Sequence, residues 1–344
     1  MHKLLVLLVS AALLGACGAD GASSRAEATP PVGLSVPAGF GIARYADGLR
    51  SPTALAIGPG GALYATQLNG GENDGKGQVV VVDAAGATPR VLLDGLTKPT
   101  GLVWRGDELF IAAGRDVLRT RLGADGRFEA PMSAVRDLPF NTRSEGQIDL
   151  LPDGRLLFES SGLVGDAASG RLLTLIPGEP PVTLATGLKG AYAHAVDPAT
   201  GQIYTSEIGD DPVDGAPPPE EINAVVAGGD YGWPRCYGDR IPVAARGATA
   251  ASCAETKPPL VTFAPHATPT GLEFYAGDDF PPAYRGLYVA LWQGASVQRV
   301  TIGGEATPFV SGLKQPIDVL RDPQGGLLVL DFASGAIYRI TAAR

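Results

Sequence analysis

The sequence predicts an all-β protein folded as a six-bladed β-propeller, and three observations lead to this prediction. A short pattern recurs six times, beginning at Gly48, Gly95, Asn141, Gly187, His266 and Gly312. The starts lie 47, 46, 46, 79 and 46 residues apart. A repeat of about 40–50 residues that holds several short strands is typical of a propeller blade. No stretch of the chain carries a helical period of any length.

Each repeat predicts the strands of one blade in order. A glycine turn such as Gly60-Gly61 or Gly325-Gly326 precedes a short β-prone run, here 63–65 and 328–330. A second run with an alternating pattern follows, as at 78–82. The Pro or Gly between repeats suits a tight turn and a close approach of backbones near a central axis.

The two ends of the chain predict how the ring closes. The last repeat stops after Ile340 without its outermost strand, and the segment 39–48 resembles the strand 307–312. We therefore expect residues near 39–47 to pair beside the strand at 336–341 and complete the sixth blade. This pairing would remove the last open sheet edge in the ring.

The N-terminal residues predict export from the cytosol. Residues 1–16 have the basic start and apolar run of a signal peptide, and the run is too short to span a membrane. Leu14-Gly15-Ala16-Cys17 resembles a bacterial lipobox, in which Cys17 would be lipidated. An ordinary signal peptide with a chance cysteine is the alternative. Residues 17–36 are predicted to form a flexible tether and residues 37–344 the propeller, anchored to a membrane of the cell envelope and facing the periplasm.

Two cysteines remain beside Cys17, namely Cys236 and Cys253. An even number of cysteines in an oxidising compartment favours a disulfide bond between them. A metal site is the alternative, but no histidine or second cysteine pair lies at zinc spacing.

The charge balance is acidic, with 27 Lys and Arg against 36 Asp and Glu. No basic run occurs, which makes nucleic acid an unexpected partner.

The interval between the fourth and fifth repeats is longer than the others and predicts an insertion at about 209–256. Long insertions in a compact ring are usually functional loops on one face. This one mixes Asp and Glu with Gly and Pro, which supplies the oxygen ligands that Ca²⁺ prefers on a turning backbone. A solvated acidic loop is the alternative interpretation.

Two stretches resemble the quinoprotein glucose/sorbosone dehydrogenase family. They are PPPEEINAVVAGGDYGWPRCYGD, from Pro217, and TFAPHATPTGLEFYAGDDFPPAYRG, from Thr262. The resemblance extends over residues 37–341 and implies a six-bladed propeller with a calcium site, where Glu221 and Tyr231 would be the calcium contacts. It also implies the cofactor pyrroloquinoline quinone (PQQ), an unknown electron acceptor and a small sugar or alcohol as substrate.

The family's reaction requires cationic side chains that hold the carboxylates of PQQ and a histidine that acts as general base. Arg143, Lys189 and Arg299 are the candidates for cofactor binding. The chain departs from the family at two places. No histidine occurs in 141–147, where Arg143 or a neighbour takes its position and arginine stays protonated. Gly190 follows Lys189 where the family has a hydrogen-bonding side chain.

Two residues are candidates to replace the missing base. His194 lies in an apolar run on the predicted inner strand of the fourth blade, and Glu145 lies at the start of the third. A structural histidine is the alternative interpretation of His194. Glu207 and Asp318 are expected near inner strands, where they would line a polar channel.

Three functions from different classes remain open at this stage. The first is a PQQ-dependent oxidoreductase of sugars or related alcohols with altered or weak activity. The second is a non-catalytic, calcium-stabilised binding propeller. The third, a calcium-dependent lactone hydrolase, rests on analogy with other six-bladed rings alone. A cationic cluster over one mouth of the channel favours the first, and carboxylates converging in the channel favour the third.

Overall fold

The computed structural model describes residues 31–140, 146–166, 168–209 and 211–343. The predicted signal peptide, the lipidation site Cys17 and the candidates Arg143 and Glu145 lie outside the described residues.

The described chain forms six four-stranded antiparallel sheets, which confirms the six-bladed propeller. Blade 1 comprises β2 (Pro52–Ile57), β3 (Leu63–Gln67), β4 (Gly77–Val82) and β5 (Arg90–Leu96). Blade 2 comprises β6 (Pro99–Arg105), β7 (Glu108–Ala113), β8 (Asp116–Arg121) and β9 (Met132–Val135). Blade 3 comprises β10 (Ile148–Leu150), β11 (Leu156–Ser160), β12 (Arg171–Leu175) and β13 (Val182–Thr186).

Blade 4 comprises β14 (His194–Val196), β15 (Ile203–Glu207), β16 (Glu220–Ala224) and β19 (Val261–Phe263). Blade 5 comprises β20 (Pro269–Tyr275), β21 (Gly286–Leu291), β22 (Ser296–Val300) and β23 (Ala306–Ser311). Blade 6 comprises β24 (Pro316–Arg321), β25 (Leu327–Asp331), β26 (Ala336–Ala342) and β1 (Phe40–Ala46). The first strand of each group lies at the centre of the ring. Three short 3-10 helices lie in connections: Pro59–Gly61, Ala244–Arg246 and Pro282–Tyr284.

The N-terminal strand closes the ring as the sequence predicts. Strand β1 pairs antiparallel with β26, from Phe40 opposite Ala342 to Ala46 opposite Ile337. The ring of Phe40 packs edge-on against Phe280 and Phe309 of blade 5, with centroids 4.9 and 5.2 Å apart. The pairing therefore joins the two ends of the chain through both backbone hydrogen bonds and an aromatic contact.

The ordered contacts begin before the predicted boundary at residue 37. The backbones of Ser35 and Ser311 exchange two hydrogen bonds of 3.1 and 3.0 Å. Leu34 and Val36 pack against the core between blades 5 and 6. The end of the predicted tether is thus part of the folded domain. In the described part of the chain, no helix has the length and apolar character needed to cross a membrane.

A belt of threonine hydroxyls ties neighbouring inner strands together near the axis. Each hydroxyl donates to a backbone carbonyl of the next blade, at 2.7 to 3.2 Å. The donor and acceptor pairs are Thr53 and Pro99, Thr100 and Gly146, and Thr270 and Pro316. Each pair is separated by 46 residues, so the bonds follow the period of the sequence.

Glycines beside this belt are required by the close approach of backbones. A Cβ added at Gly101 would lie 2.6 Å from the Ile148 nitrogen, and one added at Gly271 would lie 2.6 Å from the Asp318 Cα. Real Cβ contacts do not come this close, so only glycine fits. The close approach of backbones that the sequence predicts for the Pro and Gly between repeats is seen here at two glycines within the inner strands.

A second recurring contact fixes the connection into three of the inner strands. The last residue of the second strand accepts a hydrogen bond from the backbone N–H two residues after the Gly that starts the repeat. The pairs are Gln67 with Arg50, Glu207 with Lys189, and Asp331 with Lys314, at 2.9, 2.7 and 2.7 Å. Glu207 thus has a structural role, because its side chain accepts a hydrogen bond that recurs in three blades.

The insertion folds against blade 4 and carries the predicted disulfide bond. It contains the two-stranded pair β17 (Cys236–Tyr237) and β18 (Ile241–Pro242), followed by the single-turn helix α1 (Ala250–Cys253). Cys236 and Cys253 are joined, with Cα atoms 5.9 Å apart. Both cysteines are buried, and the bond links the short hairpin to the end of α1. The disulfide prediction is therefore confirmed.

Candidate functional site

The inner strands all begin on one face of the ring, which we call the loop face because the connections between blades lie there. Several of these connections contain Lys or Arg, among them Arg50, Lys98, Lys189 and Lys314. The sequence analysis singled out Lys189 alone among them. Arg50 and Lys314 stand at the place in the repeat that Lys189 occupies, and Lys98 stands one residue further along, so the sequence period could have identified them.

Lys98 is the most buried of these four side chains, with 5% of its surface exposed. Its Nζ lies 3.6 Å from Glu72 Oε2 and 5.8 Å from the centre of the Phe140 ring. A buried ammonium group requires such partners. These contacts hold a positive charge in a fixed place on the loop face.

Lys189 lies where the fourth blade meets the insertion. Its Nζ donates a hydrogen bond of 2.6 Å to the Gly209 carbonyl, and its backbone N–H donates to Glu207. The adjacent Gly190 is buried, and its carbonyl accepts from the Ile208 N–H. Both the charge and the backbone at this connection are therefore fixed by β15 and the residues after it.

Two carboxylates face each other at the end of β15 and the start of β16. Glu207 and Glu221 are direct partners in the strand register. Glu221 accepts from the Gly238 N–H at 2.6 Å and from Asn223 Nδ2 at 3.4 Å. Glu207 Oε2 is buried and, among the described residues, has no hydrogen-bond partner. Burial raises the pKa of both carboxyl groups, and the proximity of Glu221 raises that of Glu207 further.

A cavity of about 20 Å³ lies beside this carboxylate pair and is lined by Glu207, Glu221 and Tyr231. The volume admits one water-sized sphere. The Tyr231 hydroxyl donates to the Ala224 carbonyl at 2.7 Å and accepts from the Val226 N–H at 2.9 Å. Its hydroxyl therefore holds β16 to the insertion, while its ring forms one wall of the cavity.

The residues suit a calcium ion in chemistry and size. Two facing carboxylates, one with an unpartnered buried oxygen, form the start of a hard-oxygen donor set. No group of three or more His, Cys, Asp and Glu side chains that could hold a metal occurs within the described residues. The remaining donors at this cavity would therefore be backbone carbonyls or water.

A second and larger cavity lies in the central channel. Its volume is about 160 Å³, and every inner strand contributes to its wall. We call it the channel cavity. Its polar lining residues are Gln147, Asp149, His194, Glu273 and Asp318, and its described lining contains no Lys or Arg. The expectation that Asp318 lines a polar channel agrees with this placement, whereas Glu207 lines the smaller cavity instead.

His194 lies on the wall of the channel cavity and forms a pair with blade 3. Its Nδ1 lies 3.0 Å from Asp149 Oδ2, and its side chain is fully buried. A carboxylate oxygen accepts, so Nδ1–H donates, and in the neutral tautomer Nε2 would carry the lone pair. Nε2 is buried without a hydrogen-bond partner in the described residues. The structure thus places His194 within the channel, below the threonine belt and away from the open loop face.

Two further carboxyl groups share the channel cavity with this pair, those of the buried Asp318 and the partly exposed Glu273. Burial raises the pKa of Glu273 to about 8, and the nearby Asp149 and Asp318 add to the effect. Burial also raises the pKa of Asp318 to about 7, although its carboxylate accepts from the Leu55 and Val319 N–H groups. The sequence analysis missed Asp149 and Glu273, which occupy matching positions two residues after Gln147 and Gly271 on their inner strands.

Arg299 does not join any of these groups. It lies on β22, the third strand of blade 5, where its guanidinium packs 5.7 Å from the centre of the Tyr284 ring and donates to the Arg285 carbonyl. The third strand of a blade lies away from the channel, so the structure places Arg299 outside the loop-face site for which it was a candidate.

The fold matches several solved structures along nearly its whole length. The PQQ-bound aldose sugar dehydrogenase from Streptomyces coelicolor is 19% identical, with a TM-score of 0.69, and the match covers 89% of this chain and 100% of that one. The holo pyranose dehydrogenase PQQ domain from Coprinopsis cinerea is 16% identical, with a TM-score of 0.69 and coverages of 91% and 98%.

A calcium-containing structure of a Trichoderma reesei carbohydrate-active enzyme of family AA12 is 15% identical, with a TM-score of 0.69 and coverages of 90% and 97%. At these identities the likeness establishes the fold. No curated protein sequence matches the chain.

Residues 174–339 match the family model described as Glucose / Sorbosone dehydrogenase. This region contains blades 4 and 5, the insertion and both motifs on which the sequence resemblance rests. The resemblance predicted from the sequence is therefore confirmed over these residues, which are similar to the glucose/sorbosone dehydrogenase family.

Proposed function

We propose that the protein is a PQQ-dependent oxidoreductase of sugars or related alcohols. The observation that carries this proposal is the family match over blades 4 and 5, which includes the carboxylate pair Glu207–Glu221 and the cationic connection at Lys189. The structural likeness to PQQ-bound sugar dehydrogenases supports it.

The loop face suits an anionic cofactor. PQQ carries carboxylates, and lysine and arginine are the side chains that bind such groups through charge-assisted hydrogen bonds. Lys98 and Lys189 would hold the cofactor, with Arg50 and Lys314 extending the positive charge around the mouth. Bound PQQ would supply the two-electron acceptor for the oxidation.

Calcium would occupy the small cavity at Glu207 and Glu221. A cation there would restore the ionised state of both carboxylates, whose pKa values are raised by burial. It would also fix the start of β16 against the insertion, because Glu221 contacts Gly238.

The position of the base distinguishes this chain from its family. His194 is fully buried in the channel, so direct contact with a sugar at the loop face does not follow from its position. Glu145 lies outside the described residues and remains a candidate base from the sequence alone. We infer a weak or altered activity, because a positioned general base contributes about 10²–10⁴-fold.

We also propose that the protein works in the bacterial cell envelope, anchored through Cys17. The Cys236–Cys253 bond supports a location outside the cytosol, where disulfides persist.

The test is titration of the purified protein with PQQ in the presence of Ca²⁺, followed by dye-linked oxidation of a panel of aldoses and alcohols. We expect a saturable absorbance change and turnover of at least one sugar. Binding without turnover of any substrate would favour a non-catalytic binding propeller.

The lactone-hydrolase alternative has one observation in its favour, since three carboxyl groups line the channel cavity. The described residues nevertheless contain no side-chain group of three or more that could hold its metal. Hydrolysis of an aldonolactone that requires Ca²⁺ and is independent of PQQ would make this the correct function.

A further inference from the structure

The titratable side chains of the channel cavity lie in three successive layers. By the strand registers, Asp318 and Gln147 form the first layer, nearest the loop face. His194 lies one residue further from that face, and Asp149 and Glu273 form the third layer, one residue beyond His194. Successive residues of a strand advance by about 3.3 Å. The layers therefore form a short stack that runs away from the loop face.

The cavity opens toward the face opposite the loop face. Asp318 and His194, in the first two layers, are 5% and 2% exposed. The third layer is more open, because Asp149 and Glu273 are both partly exposed. Above the first layer, the threonines of the belt are buried. In the described part of the chain, the cavity is thus a well with its floor just beneath the belt.

The floor of this well contains groups that accept and pass on protons. His194 Nε2 has a lone pair without a hydrogen-bond partner, and its Nδ1 is hydrogen-bonded to Asp149 in the next layer. The belt above consists of hydroxyls such as Thr100, which both donate and accept. Waters in a cavity of about 160 Å³ would connect the stacked groups.

Oxidation of an alcohol to a carbonyl removes two electrons and two protons. Bound PQQ would supply the acceptor for the two electrons, which an external acceptor would then remove, and the two protons would have to reach solvent. On the loop face a bound cofactor and substrate would cover the mouth. We propose that the channel cavity is the exit route for these protons, with the His194–Asp149 pair as the acceptor at its floor and Asp318 and Glu273 as exchange groups along its wall. This inference rests on the proposed function.

The raised pKa values support the route. Asp318 and Glu273, with pKa values of about 7 and about 8, gain and lose protons near neutral pH. The inner strands β2 and β6 contribute only apolar residues to the wall. The groups that face the stack are therefore Gln147 and Asp149 from β10, His194 from β14, Glu273 from β20 and Asp318 from β24.

The experiment uses the protein reconstituted with PQQ and Ca²⁺ and the variants His194→Gln and Glu273→Gln. Glu305→Gln, at an exposed turn of blade 5, is the matched control. Absorbance measures PQQ affinity, and dye-linked kinetics measure kcat and KM between pH 5 and 9. Thermal melting identifies any variant that fails to fold.

We expect His194→Gln to lower kcat by at least about 10-fold, which is less than the roughly 10²–10⁴-fold contributed by a general base that contacts the substrate. PQQ affinity and KM should stay unchanged, and added imidazole should restore kcat. Glu273→Gln should flatten the pH profile above pH 7, and the control should behave as the original protein.

Three different outcomes would overturn the route. Normal PQQ binding with unchanged kcat and pH profiles in both variants would refute the proton route alone. Failure of the original protein to bind PQQ would refute the proposed function, and the route with it. A loss of kcat that imidazole does not restore would assign His194 a structural role and also reject the route.

Discussion

The loop face and the channel cavity lie a few residues apart along the same inner strands, yet they carry opposite charge. The connections on the loop face present Arg50, Lys98, Lys189 and Lys314. The channel cavity contains three carboxyl groups and a histidine, and its described lining has no basic side chain. Connections can change their residues without disturbing the blades, whereas the inner strands are constrained by the belt and by neighbouring blades.

The difference indicates a division of work between the two regions. The loop face is suited to bind an anionic cofactor, and the channel cavity is suited to hold and exchange protons. The carboxylate pair Glu207–Glu221 shares a feature with each region. It is acidic like the channel cavity, but it lies at the loop face beside the insertion. The following predictions test whether the two regions are independent.

The largest expected effect concerns the basic residues of the loop face. Lys98→Gln and Lys189→Gln should each weaken PQQ binding by about 10- to 100-fold, because a hydrogen bond to a charged group contributes about 1.5–3 kcal/mol. Absorbance titration checks this, with Arg127→Gln on the outer part of blade 2 as the control. Equal affinity in all three variants would show that the cofactor, if bound, lies elsewhere.

The second effect concerns the disulfide bond of the insertion. The double variant Cys236→Ser/Cys253→Ser should lose about 3 kcal/mol of stability, because a loop of this length is no longer closed in the unfolded chain. Denaturant unfolding measures the change. The pH dependence of the free energy of unfolding should remain, since the channel cavity does not contact the disulfide bond. Loss of that pH dependence would show that the insertion and the channel cavity are coupled.

The third effect concerns calcium. Millimolar Ca²⁺ should raise the Tm of the original protein by several degrees, because a ligand that binds only the folded state stabilises it. Glu207→Gln should abolish the shift while leaving the calcium-free protein at least as stable, because one of two facing carboxylates is neutralised. Thermal melting in chelator and in Ca²⁺ checks both, and a full shift in Glu207→Gln would exclude this cavity as the site.

The smallest effect concerns pH and Glu273. Folding keeps a proton on Glu273 that the unfolded chain loses above about pH 4.5, because burial raises its pKa to about 8. The native state then binds more protons, so stability should fall as pH rises from about 4.5 to 8. The free energy of unfolding of Glu273→Gln should fall less steeply with pH across this range. The same slope as in the original protein would contradict the raised pKa of Glu273.

Much of the fold follows from the sequence. The repeat spacing predicted six blades, the incomplete last repeat predicted the closing strand β1, and the cysteine count predicted the bond between Cys236 and Cys253. The number of blades follows from the period of the sequence, and the closing strand follows from the incomplete last repeat.

The candidate site was predicted only in part. Glu221 and Tyr231 do line one cavity, and His194 does face the channel. The sequence did not reveal that the Tyr231 hydroxyl is held by the backbone of the insertion, nor that Arg299 packs on Tyr284. Such outcomes depend on which neighbour each side chain meets across strands.

The six-bladed ring and its closure by the N-terminal strand follow from the sequence. The tertiary structure alone decided that Asp149 and His194, 45 residues apart, form a pair, and that Glu273 and Asp318 share its cavity. The physical reason is that a propeller places equivalent positions of successive blades side by side around one axis. Charges that are spread evenly along the chain are thereby gathered in one buried channel, where their mutual repulsion and loss of solvent set their protonation.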